Sequence, residues 1–275
     1  KKQGTPTMGG MIFMFSILIC TIGSYIYFRT RGEVELVRNL IPMLFLTIGF
    51  GIVGLVDDFK KLVLKNTKGL RPSYKMLGLL LISIAYTFFI MKFTNHGTEI
   101  IIPILKTSVN IPTIFYIPFA ILVILATTNA INLTDGVDGL SSSVCAIIAM
   151  LNNVVDATIL GSITVGAILG FLMFNLHPAK VMMGDTGSLF LGGVISCLAL
   201  YLKLPLLLVV IALIPILETL SVMIQVYYYK RTGNRIFKMA PLHHHFELSG
   251  WNENKVVRVF SVITLLVCII GILIV

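Results

Sequence analysis

The chain reads as a succession of long apolar stretches cut by short polar ones, without the sustained alternation that marks half-buried strands. About 20 apolar residues are needed to cross a hydrocarbon core of about 30 Å. By that measure nine spans are predicted, at 8–28, 39–56, 76–92, 113–131, 141–155, 158–176, 186–202, 204–228 and 256–275. The polar segments then fall alternately on two sides. One side collects Lys1, Lys2, Lys60, Lys61, Lys65, Lys68, Arg71, Lys75, Lys180, Lys230, Arg231, Arg235, Lys238, Lys255 and Arg258. The other holds Arg29, Arg31, Arg38, Lys92, Lys106 and Lys203. Fifteen basic residues against six make the first side cytoplasmic, because Lys and Arg accumulate in loops that are not translocated. An odd number of spans sends the C-terminus outside. The outer segment 95–112, "NHGTEIIIPILKTSVNIP", has β-branched runs around a Lys-Thr-Ser turn and predicts a small extracytoplasmic β-hairpin. The fold expected is an all-α polytopic membrane protein, one integral membrane domain over 1–275, with its cleft facing the cytoplasm.

Composition agrees with the pattern. Hydrophobic residues make up 57% and charged residues 12% of the 275, about half the usual charged fraction of a soluble domain. The net charge of +9 is gathered in the short polar segments, which points to anionic headgroups or an anionic substrate. No basic helix or aromatic RNA-binding motif accompanies it, so nucleic acid is not an expected partner. Cys20, Cys145, Cys197 and Cys268 sit inside apolar runs without metal or redox spacing and are expected as small core or lipid-facing residues. The chain opens on "KKQGTPTMGG" with no initiator methionine, so a preceding piece carrying a first span is expected. No cleavable signal peptide is recognisable.

The unusual polar residues lie almost entirely in the cytoplasmic segments. In "NAINLTDGVDGL", Asn129, Asn132, Asp135 and Asp138 recur every third residue, drifting about 60° per step on a helix of 3.6 residues per turn. Four such residues cannot share a narrow face, so a helix end opening into a glycine-containing loop is predicted. Taken alone, the segment equally fits an exposed turn with an aspartate N-cap for a helix starting near Leu140. Two further acid groups change the weighting: Asp185 in "GDTGSLFLGG", and Asp57 with Asp58 in "VDDFKK". Three spans thus deliver carboxylates to one membrane face, where they repel unless a cation neutralises them. Hard oxygen ligands without cysteine favour Mg²⁺ held partly by phosphate and water. Lys2, Lys60, Lys61 and Lys75 supply charge for phosphates. The run His243, His244 and His245 in "PLHHHFE" cannot aim three imidazoles at one point, which argues against a zinc site and for one or two donors to a polar ligand. Glu218, three residues after Pro215, is costly in lipid. It reads as a hydrogen bond at a proline kink or, alternatively, as part of an ion pathway.

In order, "KKQGTPTMGG", "GLVDDFKK", "NAINLTDGVDGLSS", "FNLHPAKVMMGDTGSL" and "RIFKMAPLHHHFE" closely resemble the phospho-N-acetylmuramoyl-pentapeptide-transferase (MraY) family of the polyprenyl-phosphate N-acetylhexosamine-1-phosphate transferase superfamily. The resemblance runs from Lys1 to the last span, and "PLHHHFE" separates this branch from its N-acetylglucosamine-phosphate relatives. It implies a ten-helix bacterial inner-membrane enzyme of peptidoglycan synthesis, expected as a homodimer and a target of nucleoside antibiotics such as tunicamycins and muraymycins. The implied reaction moves phospho-MurNAc-pentapeptide from UDP-MurNAc-pentapeptide onto undecaprenyl phosphate with Mg²⁺, giving lipid I and UMP. Carried over, Asp185 is the implied metal ligand, supported by Asp135 and Asp138. Asp57 is the implied base or phosphate-handling acid, with Asp58 beside it and Lys75 in the catalytic group. Lys2, Asn129, Asn132 and Asn175 line the same cleft, and the three histidines orient the nucleotide sugar. Met182 stands where many relatives carry a phenylalanine that stacks on the nucleobase. Direct attack by the lipid phosphate is preferred to a phosphoryl-enzyme route, because an acid committed to Mg²⁺ is a poor nucleophile. A GlcNAc-1-phosphate transferase and a transporter or flippase are the weighed alternatives. The second requires polar groups near the bilayer midplane, where few occur.

Overall fold

In the computed structural model, residues 4–65, 69–94, 97–149 and 155–275 are described. The helices are α1 (Gly10–Thr30), α2 (Leu40–Leu62), α3 (Pro72–Phe93), α4 (Thr113–Thr134), α5 (Leu140–Ile148), α6 (Val155–Asn175), α7 (Gly184–Tyr201), α8 (Leu208–Ile211), α9 (Leu213–Thr232), α10 (Leu242–Glu247) and α11 (Glu253–Ile274). Short 3₁₀ turns at Val34–Val37 and Pro205–Leu207 precede α2 and α8. Strands β1 (Glu99–Ile102) and β2 (Thr107–Asn110) pair antiparallel, with Glu99 opposite Asn110 and Ile102 opposite Thr107.

Among the described residues, seven helices are long and apolar enough to cross a membrane, or eight if α8 and α9, bent by 80° at Ala212, form one broken span. The expectation of nine is met only that far. Of 141–155, the described part is α5, whose nine residues rise only about 14 Å at 1.5 Å each; residues 150–154 lie outside the described set. The span expected at 204–228 is present but broken, and the break falls at Ala212 rather than at Pro215. Asp135 and Asp138 do lie in a loop past the end of α4, yet no aspartate caps α5: its N-cap is Gly139, at φ +77°. The hairpin turn also differs from expectation. It is Pro103–Lys106, closed by the Lys106 N–H on the Pro103 carbonyl, while Thr107 and Ser108 are strand.

α7 is the centre. Every residue from Thr186 to Tyr201 is buried, and α1, α2 and α4 pack around it. Its small residues permit that, since without a hydrophobic drive between helices in lipid, close backbone approach supplies the contact. A Cβ on Gly192 would stand 2.6 Å from the Thr128 Cα of α4. Several hydroxyls in the spans are satisfied locally: Ser83, Thr87, Thr128 and Ser196 each donate to the carbonyl four residues back. Three of the cysteines are buried, Cys20 is exposed, and none is in a disulfide.

Helix ends gather by charge. The starts of α3, α5, α7 and α11 meet the ends of α2, α4 and α6 through Lys75, Gly139, Asp185, Glu253, Asp58, Asn132 and Asn175. The hairpin sits at the opposite end of α7, where the Ile101 N–H bonds the Lys203 carbonyl and the Lys203 ammonium pairs with Glu99.

Candidate functional site

Asp57 and Asp58 are consecutive on the last turns of α2 and therefore point about 100° apart. Asp58 turns into the bundle and accepts from the Asp185 N–H (3.1 Å), the Thr186 N–H (2.8 Å) and the Thr186 hydroxyl (2.7 Å). It thereby satisfies orphan donors at the start of α7, with the favourable sign for that end of the helix. The approach depends on two glycines. Gly54 has Asp185 carbonyl oxygen where a Cβ would be, at 2.2 Å, and Gly184 takes φ +75° with the Asp58 carboxylate 2.7 Å from its missing Cβ. Asp57 faces the other way, buried, paired with the Lys61 ammonium at 2.5 Å and accepting the Leu70 N–H at 2.5 Å.

Asp185 is more open, with a fifth of its side chain exposed. Its carboxylate takes Lys61 at 2.8 Å, Lys75 at 3.1 Å and the Asn132 amide at 3.0 Å. Asn132 also reaches the Ser188 hydroxyl at 2.8 Å, and its carbonyl oxygen lies 3.4 Å from the Lys75 ammonium. One oxygen from each of Asp57, Asp58 and Asp185 lies within 4.8 Å of the others. Three carboxylates against two ammonium groups leave a formal −1, so a cation or a protonated group is favoured there. The donors are all hard oxygens, two of them bridged by the single Lys61 ammonium, which fits a small divalent cation.

The other sequence-predicted residues distribute around this core. Asn129, one turn before Asn132, bonds its own helix at the Leu125 carbonyl and approaches Met76 sulfur at 3.8 Å. Asp138 belongs to a different group: it meets His177 Nδ1 (3.2 Å) and the Ala179 N–H (3.1 Å), and Glu253 lies 3.3 Å from the same imidazole. Asp135 ends α4, half-buried. Asn175 is buried and bonded throughout, accepting from the Gly139 N–H and Ser142 hydroxyl and donating to the Val181 carbonyl. Met182 exchanges backbone bonds with Pro6 and Gly9, which dock the segment before α1 onto the start of α7. Lys2 lies outside the described residues.

The three histidines diverge, as adjacency on a helix requires. His243 is buried against Glu218, His244 pairs with Glu247 at 2.7 Å, and His245 accepts the Lys238 N–H at 3.1 Å. Glu218 bonds the histidine segment rather than a proline kink, because α9 runs beneath that segment. Sequence reasoning did not single out Thr186, Ser188, Gln225, His177 or Glu253. "GDTGS" placed the first two beside an acid and offered a signal; the others become partners only through folding.

An apolar groove of ≈ 530 Å³ runs between α4 and α9, lined by Met76, Leu122, Asn129, Val209, Ile216 and Met223 among others. Met76 adjoins Lys75, and Asn129 lies one turn from Asn132, so the groove leads to the acid cluster.

Fold and site together define a polytopic helical membrane protein with a carboxylate and lysine cluster at one end of its helices and an apolar groove running into it. Residues 40–203 match glycosyl transferase family 4. The chain is 48% identical to the phospho-N-acetylmuramoyl-pentapeptide-transferase of Clostridium botulinum strain Eklund 17B, over 98% of this chain and 82% of that protein. It is 44% identical to those of Acetivibrio thermocellus (98% and 82%) and Caldanaerobacter subterraneus subsp. tengcongensis (97% and 83%). The chain belongs to glycosyl transferase family 4 and, within it, to the phospho-N-acetylmuramoyl-pentapeptide-transferases.

Proposed function

We propose that this protein transfers phospho-MurNAc-pentapeptide from UDP-MurNAc-pentapeptide to undecaprenyl phosphate, forming lipid I and UMP in the first membrane step of peptidoglycan synthesis. The observation that carries the reading is the Asp57, Asp58 and Asp185 cluster with Lys61, Lys75 and Asn132 at the mouth of an apolar groove. A polyprenyl chain fits the groove, which brings its phosphate to Lys75 from within the bilayer. The nucleotide sugar enters from water, on the side of Asp135, Met182 and the histidine segment.

Joining two anionic phosphates is a problem of in-line placement and charge. Lys61 and Lys75 hold phosphate oxygens, Asp57 takes the lipid phosphate's proton, and a lipid phosphate oxygen bonds the sugar-linked phosphorus as its bond to the UMP oxygen breaks. Asp58 keeps Asp185 in place through the start of α7. Asp185, already shared among three donors, is better placed to hold a cation than to attack phosphorus, which favours direct transfer. Asp185 is the residue that would hold Mg²⁺. When bound, Mg²⁺ supplies neutralisation of the diphosphate charge.

The predominance of basic residues at the site's end of the helices supports a site on the cytoplasmic face of the inner membrane. The same reading takes nucleoside antibiotics as competitors of the nucleotide sugar and a homodimer as the working unit. The test is UMP release by purified protein given both substrates, with and without Mg²⁺. We expect Mg²⁺-dependent release that falls at least ~100-fold in Asp185→Ala; release indifferent to metal and to Asp185, or release with UDP-GlcNAc in place of the MurNAc donor, overturns the assignment.

A further inference from the structure

Glu218 is fully buried in α9, in a span where an unpaired carboxylate is costly. Its two oxygens accept the His243 N–H, at 3.2 and 3.4 Å. The His243 imidazole, only 1% exposed, lies with Nδ1 3.2 Å from the same carboxylate. That contact lacks hydrogen-bond alignment, and neither ring nitrogen has a hydrogen-bond partner among the described residues. On its far side the ring rests on Gly136: a Cβ there would stand 2.1 Å from Nε2. Two turns further along the same face of α9, Gln225 accepts the Ile236 and Phe237 N–H groups and donates to the Phe237 carbonyl. One helix face therefore grips the histidine segment at both ends.

From this geometry we infer that Glu218 is a positioning residue for the transfer reaction, holding His243 so that the histidine segment seats on Gly136 and sets the turn that follows Asn132. The inference rests on the transferase reading above and deepens it. Glu218 touches no substrate. It acts through His243 on the Asp135–Asp138 turn, whose first residue closes back on the Asn132 carbonyl at 3.3 Å, and Asn132 in turn bonds Asp185. The α9 acid is thus linked through that turn to the nucleotide side of the site, and Glu218 is not among the α9 residues that line the lipid groove. Its effect belongs in nucleotide-sugar recognition.

The experiment compares Glu218→Ala, Glu218→Gln and Gly136→Ala with the unsubstituted protein in two assays: steady-state kinetics in each substrate, and limited trypsin cleavage at the exposed Arg235 and Lys238. Glu218→Ala strands a buried N–H and should raise KM for UDP-MurNAc-pentapeptide roughly tenfold, with KM for undecaprenyl phosphate unchanged. It should also speed cleavage in the segment. Glu218→Gln retains an acceptor and should restore most of both properties, whereas Gly136→Ala, displacing the ring from the other side, should reproduce the KM pattern. A fall in turnover alone, an equal rise in both KM values, or an unchanged tryptic rate in Glu218→Ala overturns the inference. Absence of UMP release from the unsubstituted protein instead defeats the functional reading, while the tryptic comparison still decides whether Glu218 holds the segment.

Discussion

Asp58 and Asp185 are both acids of the same cluster, yet their partners assign them different consequences. Asp58 is buried and bonded to two N–H groups and a hydroxyl of α7. Asp58→Ala should cost about 1–3 kcal/mol of stability by stranding those donors, lowering the thermal unfolding midpoint in detergent along with activity. Asp185 is partly open and bonded to lysines that retain solvent or a second partner, so Asp185→Ala should leave that midpoint nearly unchanged while abolishing UMP release. Equal losses of stability in the two variants would contradict the division. The sequence marked both acids as chemically important, but adjacency in "VDDFKK" gave no means to tell which of Asp57 and Asp58 binds the start of α7 and which pairs with Lys61.

The contact between α2 and α7 sets the cluster's dimensions. Gly54 permits it, since a Cβ there would lie 2.2 Å from a backbone oxygen that cannot move alone. Gly54→Ala should therefore separate the helices and cost about 1–3 kcal/mol as overpacking, with reduced UMP release. Gly23→Ala on α1, where nothing lies within 4 Å of the added methyl, serves as the control and should be neutral in both measurements. The length of the apolar runs made most of these helices legible. The break at Ala212 and the short α5 were not, because an apolar run carries no record of where tertiary packing bends or ends a helix.

Across the protein, one end is rich in lysine, arginine and the acid cluster, and the other carries the hairpin with the Glu99 and Lys203 pair. Single cysteines placed at Lys238 and Lys106, in a background with Cys20 replaced, should distinguish the two faces. A membrane-impermeant thiol reagent added to intact spheroplasts should label position 106 and spare position 238. Labelling of both or the reverse pattern would refute the proposed orientation. The charge bias was readable directly from the chain, because it depends on which loops are basic and not on how the spans pack.

Sequence by itself determined the membrane class, the alternation of polar ends, the acids and lysines available for phosphate chemistry, and the family. These follow from apolar length, charge placement and ordered motifs, all local properties of the chain. Only the tertiary structure decided that Asp138 joins His177 and Glu253, that Asn175 ties α5 to α6, and that Glu218 answers to His243. Each of those depends on residues far apart in sequence being brought together by packing, where burial makes an unpartnered polar group costly and only the fold decides which partner is within reach.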